Sequence, residues 1–292
     1  MSKDILVTGA SGYVMSSVLR TSEFQCLDLE TPTHKELDFT DLEQARKYVR
    51  GKRFVIHAGA NANVFEARTN YETTKETNGI GAKNIAIACE EFDARMFFVS
   101  TDYILPGNEQ YPGPYAENSR RLGSFTSVQI GSYASTKLLG ELMAEKYCSR
   151  LSIVRISYPF GNYGEKDYIR KLIKNAKLGK PIFCDQVVTP TYLPDIAIAL
   201  NEIVSKDKNG IFHVACKGFA SPYVIVNYVN DKLGLKLDIC AGSCSEYLKN
   251  LNVEPIPQYG GLYTSKTRED LGIELHDWRS AIDEMIENHA IS

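Results

Sequence analysis

Apolar and polar positions follow a repeating rhythm through the first half of the chain. Short apolar runs alternate with longer stretches of helical periodicity. The runs predict strands at Asp4–Thr8, Phe24–Leu29, Phe54–His57, Arg95–Thr101 and Ser152–Ile156. The periodic stretches predict a helix after Gly12, a long one over Tyr71–Phe92 with Gly79 and Gly81 as weak points, and another from Ser132 to Cys148. Thr40-Asp41-Leu42-Glu43 reads as a helix start, with Thr40 or Asp41 able to cap and Glu43 three residues after Thr40. Strands that are apolar throughout and separated by helices bury both faces. They predict a doubly wound parallel α/β sheet of Rossmann type.

The rhythm changes after Pro159. Helices are predicted over Tyr168–Leu178, Pro194–Val204 and Pro222–Leu233, and two short ones over Ser265–Gly272 and Trp278–His289. Extended pieces fall at Ile182–Cys184, Gln186–Val188 and Ile211–Ala215. We read residues 1–158 as a dinucleotide-binding domain. Residues 159–292 read as a smaller mixed α/β substrate-binding lobe, with segments near 186–216 returning to the large sheet.

Composition narrows the function classes. The 292 residues carry 33 basic and 36 acidic side chains, a net charge of −3, so no broad nucleic-acid-binding surface is expected. Apolar stretches such as Met96–Val99 and Ile196–Leu200 are far shorter than the ~20 residues of a membrane span. Met1-Ser2-Lys3-Asp4 leads straight into Ile5-Leu6-Val7 with no secretory pattern, and a cytoplasmic protein is expected. The 7 cysteines are scattered without a zinc-binding arrangement, so no metal is expected and the thiols read as buried and reduced.

The candidate chemistry starts at Thr8-Gly9-Ala10-Ser11-Gly12, between the first strand and a helix. Glycines there allow a tight turn and let backbone amides approach a pyrophosphate at the positive end of the helix. Asp28 is expected to end the second strand, ~20 residues on, where an acid accepts hydrogen bonds from the adenosine ribose. A carboxylate there repels a 2′-phosphate, so NAD(H) is favoured over NADP(H). Met15 stands where the third glycine of the pattern belongs, and should push the helix outward or demand repacking. Tyr133 and Lys137 lie four residues apart on one helical face. An ammonium beside a phenol lets it trade a proton with a carbonyl oxygen as hydride arrives. Thr101, at the carboxyl end of the fourth strand, should point toward the start of that helix. A plain surface Tyr–Lys contact is the competing reading of the pair taken alone.

Taken together, these motifs resemble the extended short-chain dehydrogenase/reductase superfamily. The likeness rests on Val7-Thr8-Gly9-Ala10-Ser11-Gly12-Tyr13, His57-Ala58-Gly59-Ala60, Ser100-Thr101-Asp102-Tyr103 and Tyr133-Ala134-Ser135-Thr136-Lys137, in that order. Within it the chain is most similar to the dTDP-4-dehydrorhamnose reductases. Gly113-Pro114-Tyr115-Ala116-Glu117, Lys137-Leu138-Leu139-Gly140-Glu141, Arg155-Ile156-Ser157-Tyr158, Asp185-Gln186 with Pro190-Thr191, and Gly210-Ile211-Phe212-His213 support that.

The resemblance implies an NAD(P)-dependent reductase of a nucleotide-linked 4-keto-6-deoxy sugar. Tyr133 would be the general acid, Lys137 its partner and a ribose ligand, and Thr101 a donor to the keto oxygen. Gly9, Ser11, Gly12, Tyr13 and Val14 would cradle the pyrophosphate. Asp28 and Leu29 would lie at the ribose, and Asp38 and Phe39 near adenine. Ala58, Gly59, Ala60 and Asn78 would line the cofactor, and Asp102, Tyr103 and Tyr158 would face the sugar. Related dehydratases usually carry Thr-Asp-Glu where this chain has Thr101-Asp102-Tyr103, which favours reduction over water elimination. Tyr158 replaces a usual Trp, and the loop from Glu117 to Tyr133, with Arg120-Arg121 and Ser124-Phe125-Thr126-Ser127, is longer than usual. Arg120-Arg121 reads as a solvated pair, a diphosphate contact being the alternative. His57 reads as structural, and Trp278 as packing for the C-terminal helices. A homodimer is possible. Two other readings stay open: a non-catalytic dinucleotide-binding subunit like the regulatory subunit of methionine adenosyltransferase, which Met15 favours, and a sugar-nucleotide epimerase.

Overall fold

The computed structural model describes residues 4–124, 130–162, 164–250 and 252–288. Phe125, Thr126 and Ser127 of the lengthened loop, and His289, lie outside the described residues.

Six strands form the main sheet: β1 (Ile5–Thr8), β2 (Leu29–Glu30), β3 (Phe54–His57), β4 (Arg95–Thr101), β5 (Leu151–Ile156) and β6 (Gly210–His213). Their order is β2-β1-β3-β4-β5-β6 and every pairing is parallel. Successive residues alternate between faces. Val7, Ile56 and Phe97 join one core with Met15 and Val18 of helix α1 (Tyr13–Val18). Leu6, Val55, Met96 and Phe98 join another with Ile85 of α2 (Gly81–Glu91) and Ala144 of α3 (Ser132–Tyr147). Helix α4 (Leu193–Ser205) comes from the second half of the chain and closes the first face. The sheet is therefore doubly wound. The order reverses between β1 and β3, which opens a crevice at their carboxyl ends.

The remaining chain assembles from smaller pieces. Pro159–Phe160 pairs with Thr191–Tyr192, and Ile182–Phe183 with Ala241–Gly242. A separate core gathers Phe160, Ile169, Ile173, Val226, Trp278 and Met285. Trp278 is buried there with its ring edge-on to Tyr228 at 5.3 Å.

Three expectations need correction. The run Phe24–Leu29 is not a strand. Ser22–Gln25 is helical, Phe24 is buried in the α1/α4 core, Gln25 to Asp28 are exposed, and only Leu29–Glu30 pairs in the sheet. Phe24 packs into this core from a helical turn and Leu29 packs against it from the strand, while Cys26 and Leu27 between them stay exposed. The long helix of Tyr71–Phe92 is interrupted by a π-helical turn at Glu76–Ile80, which ends just ahead of Gly81. The thiols are all free, but Cys26, Cys184 and Cys240 are exposed rather than buried. Among the described residues no helix is long and apolar enough to cross a membrane, and no cluster of His, Cys, Asp or Glu could hold a metal ion.

Candidate active site

The glycine loop joins β1 to α1 at the crevice. Gly9 adopts a φ of +72°, and a Cβ there would stand 2.6 Å from the Gly59 nitrogen. The loops after β1 and β3 can approach this closely only because that position carries no side chain. Helix α1 begins after Gly12 with no side-chain cap. Its first amides are thus the unpaired donors that attract a phosphate at a helix start. Met15 does not open the helix away from the sheet. It is fully buried, packed with Val7, Val18 and the α4 face, and also reaches the cleft floor. The Tyr13 hydroxyl points across the cleft and donates to Asp167 at 2.9 Å, so this side chain ties the loop to the second core and leaves its backbone to the phosphate.

Asp28 and Leu29 are corrected by the register. Leu29 pairs with Ile5 at the amino end of β1, so Asp28 lies at the opposite end of the sheet from the glycine loop. Asp38 accepts from the Thr40 amide and hydroxyl at 3.0 and 2.7 Å. Phe39 packs beside Gly59 and edge-on to His57. Asn78 is buried and committed within the fold. It accepts from the Asn61 amide at 2.8 Å and donates to Asn61 O and Thr136 Oγ1, both at 3.0 Å. It thereby links the loop after β3 to the residue before Lys137.

Tyr133 and Lys137 lie one turn apart at the start of α3, both buried. Lys137 Nζ donates to Val99 O at 2.9 Å and sits 4.5 Å from the Phe98 ring centre. Burial depresses its pKa to about 8, with Glu141 opposing that shift. Burial pushes the Tyr133 phenol up to about 12; the Thr101 hydroxyl pulls it down and the Asp102 carboxylate raises it further. Tyr133 is protonated at neutral pH, the form that can give its proton to a carbonyl oxygen. Thr101 ends β4, where its hydroxyl donates to Asp102 Oδ1 and accepts from the Tyr103 amide, each at 3.3 Å. Asp102 also accepts from Ser157 Oγ at 2.7 Å, and burial raises its pKa to about 6.

Tyrosines build the wall facing this centre. The Tyr103 ring is edge-on to Tyr133 at 5.5 Å and 6.2 Å from Tyr158, which lies 4.8 Å from Tyr168. Tyr158 follows β5 with a φ of +43°, unusual for a bulky residue, and its hydroxyl accepts from Gln186 at 2.9 Å.

One cleft of about 720 Å³ collects Gly9, Gly12, Tyr13, Val14, Ala58, Ala60, Thr101, Asp102, Tyr103, Tyr133, Lys137 and Tyr158. Ser11, Asp28, Leu29, Asp38, Phe39, Gly59 and Asn78 do not line it. His57 is buried behind it, its Nδ1 at 2.7 Å from Thr8 Oγ1, and burial lowers its pKa to about 3. Arg121 is not solvated; it pairs with Glu141 and Glu145 at 3.1 and 2.9 Å, whereas Arg120 is exposed. Sequence reasoning missed Asn61 and Asn63, which continue the loop after Ala60, Phe65 in the helix that Asn63 caps, and Lys166, Tyr168 and Lys171 on the far side. The first group directly follows a predicted cofactor loop and could have been found by extending it. The second carries no local signal.

Comparison with known proteins is consistent with this geometry. The family model described as the RmlD substrate binding domain matches residues 3–291. The spore coat polysaccharide biosynthesis protein SpsK of Bacillus subtilis is 26% identical over 290 residues, covering 98% of each chain. A dTDP-4-dehydrorhamnose reductase of Mycolicibacterium smegmatis is 26% identical over 289 residues, covering 98% of this chain and 86% of the relative. In fold, the chain resembles the crystal structure of dTDP-4-dehydrorhamnose reductase from Bacillus anthracis in complex with NADP. The TM-score is 0.86 at 22% identity, over 99% of this chain and 100% of that one.

Proposed function

The chain belongs to the RmlD substrate binding domain family, and from that premise we propose that it reduces a dTDP-linked 4-keto-6-deoxy sugar with a reduced nicotinamide dinucleotide. One observation carries the reading: Thr101, Tyr133 and Lys137 open onto the same cleft as the glycine loop. The residues fit a dinucleotide. The uncapped start of α1 and the Gly9–Gly59 contact leave room and amide donors for a pyrophosphate, and Lys137 lies within reach of the cleft for a ribose hydroxyl.

A bound reduced nicotinamide supplies hydride. As the C4 carbon of the sugar accepts it, the carbonyl π pair moves onto oxygen. The Tyr133 hydroxyl delivers its proton there and is left as phenolate. Thr101 donates to the same oxygen, and the Lys137 ammonium stabilises the phenolate until solvent returns a proton. Differential stabilisation of the developing charge is what accelerates the step. Tyr103 stands where elimination would need a second carboxyl.

The discrimination between NADH and NADPH loses its expected basis. Asp28 lies at the far end of β2. Of the acids that follow, Glu30 pairs with Lys52, Glu36 accepts from the Thr33 amide, and Asp38 is held by Thr40. Each is engaged within the fold, so NADPH is expected to serve as well as NADH. The regulatory-subunit reading leaned on Met15, and that residue is accommodated in the core.

The test is oxidation of NADPH and NADH with a dTDP-4-keto-6-deoxy sugar by wild type and Tyr133→Phe. Sugar-dependent oxidation by wild type alone is the expected result. Absence of oxidation by wild type with any 4-keto sugar nucleotide sinks the proposal.

A further inference from the structure

Helix α3 carries Tyr133 in its first turn, yet it has no cap of its own. Its N-cap is Gly131, which has no side chain to offer. The amide of Tyr133 is one of the donors a helix leaves unpaired at its start. Its acceptor comes from 121 residues away: the Oε1 of Glu254, at 3.2 Å. Glu254 is 9% exposed, so its carboxylate is built in and not trailing in solvent. A Cβ at Gly131 would stand 2.6 Å from that same Oε1. The foreign carboxylate occupies the space where a local cap would sit.

The segment bearing Glu254 is fastened on both sides. Arg68 donates to the Asn252 carbonyl before it. After it, the amides of Gln258 and Tyr259 both donate to Gly107 O at 2.8 Å. Gly107 follows the Thr101–Asp102–Tyr103 turn along the chain. The carboxylate is thus held in register with the end of β4, where the keto oxygen would be received. A negative group at a helix start is also favoured by the helix dipole.

We propose that Glu254 is a positioning residue for the reaction: it caps the catalytic helix from outside and sets where the Tyr133 phenol stands relative to Thr101. This rests on the reductase reading above. Misplacement of an acid by about 1 Å can cost ~10²-fold in rate.

Three variants test it. Glu254→Ala is expected to lower kcat roughly 10- to 100-fold while the KM for reduced dinucleotide stays within about twofold. Glu254→Gln keeps an acceptor for the Tyr133 amide and should recover most of the loss. Gly131→Ala, which displaces the carboxylate without removing it, should match Glu254→Ala and add little on top of it, because both break one contact. Full kcat in Glu254→Ala with only a lowered Tm overturns the proposal. A second readout needs no turnover: amide hydrogen exchange in peptides spanning 132–137. Faster exchange in Glu254→Ala than in wild type is expected, and identical exchange overturns the cap. If wild type reduces no 4-keto sugar nucleotide, the reductase reading fails, and the exchange experiment still decides whether Glu254 holds the helix.

Discussion

Lys137 and Glu141 stand one turn apart on the same helix, and both are buried. Their surroundings are opposite. Glu141 is enclosed by partners: Arg155 approaches it through Nε and Nη2 at 3.0 and 2.9 Å, and Arg121 adds a third contact at 3.1 Å. Burial alone would raise its pKa, but the Arg155 guanidinium holds it below the usual carboxylate range. Behind Arg155 lies His213 at 3.3 Å, kept neutral by burial, its pKa lowered to about 3. Lys137 has a carbonyl and a ring for company, and its pKa falls to about 8. Asp102, on the same cleft, is met by two hydroxyl donors and, among the described residues, by no ion-pair partner, and its pKa rises to about 6. The difference separates two uses of burial. Where a charge serves the fold, it is matched. Where it serves chemistry, it is left short of partners, so that its protonation responds to what enters the cleft.

The largest expected effect lies on the cleft side. Tyr133→Phe should reduce kcat by roughly 10²- to 10⁴-fold, the range for losing a positioned acid. Thermal stability should stay at or above that of wild type. Retention of most of the activity by the Tyr133→Phe variant would place the proton donor elsewhere.

Behind the helix the loss should appear in stability. Arg155→Met leaves the buried Glu141 carboxylate with the partly exposed Arg121 as its one cation and is expected to destabilise by about 3 kcal/mol in urea titration. The double change Arg155→Met with Glu141→Leu should recover much of that. Equal stability of the single and double variants would deny that the pair is coupled.

Lys137→Met should do the reverse: activity falls while the Tm at neutral pH rises. The folded pKa of Lys137 lies near 8, below its ordinary 10.5, so the unfolded chain binds more protons between those values. Wild-type stability from this group therefore increases as pH climbs from about 8 toward 10.5. The gap to the methionine variant should close over that window, and a constant gap would argue against a charge-strained lysine.

Asp102→Asn should show the smallest effect. The folded pKa of about 6 exceeds the ordinary 3.8, so the contribution of Asp102 is complete below 3.8 and lost as pH rises through 6. The Tm difference between variant and wild type should open in favour of the variant across that interval. A difference independent of pH would mean that the carboxylate is not strained.

The matched and strained groups were not equally legible in the sequence. Tyr133, Lys137 and Thr101 announce themselves by spacing, because a helix and a parallel strand convert short intervals into shared faces. The continuous apolar runs of β1, β3 and β4 likewise foretold a sheet covered on both sides. Asp28 misled because its segment has the composition of a strand, while Phe24 is buried from a helical turn and the pairing register places the acid at the wrong end. Met15 looked like a defect by pattern; packing against α4 absorbs it. Glu254 and Asp167 left no trace, since their contacts span long sequence separations and depend on how short strands and loops are laid together.

The contact between Gly9 and Gly59 has a consequence for recombination between relatives. A chimera crossing over between these positions inherits one glycine from each parent. The spacing of the two loops tolerates no side chain at Gly9, where a Cβ would meet the Gly59 backbone, and a Cβ at Gly59 would press on Phe39 at 2.6 Å. Where the parents differ at Gly9, Phe39 or Gly59 such crossovers should fail selection, and the segment from Gly9 to Gly59 then exchanges as a unit.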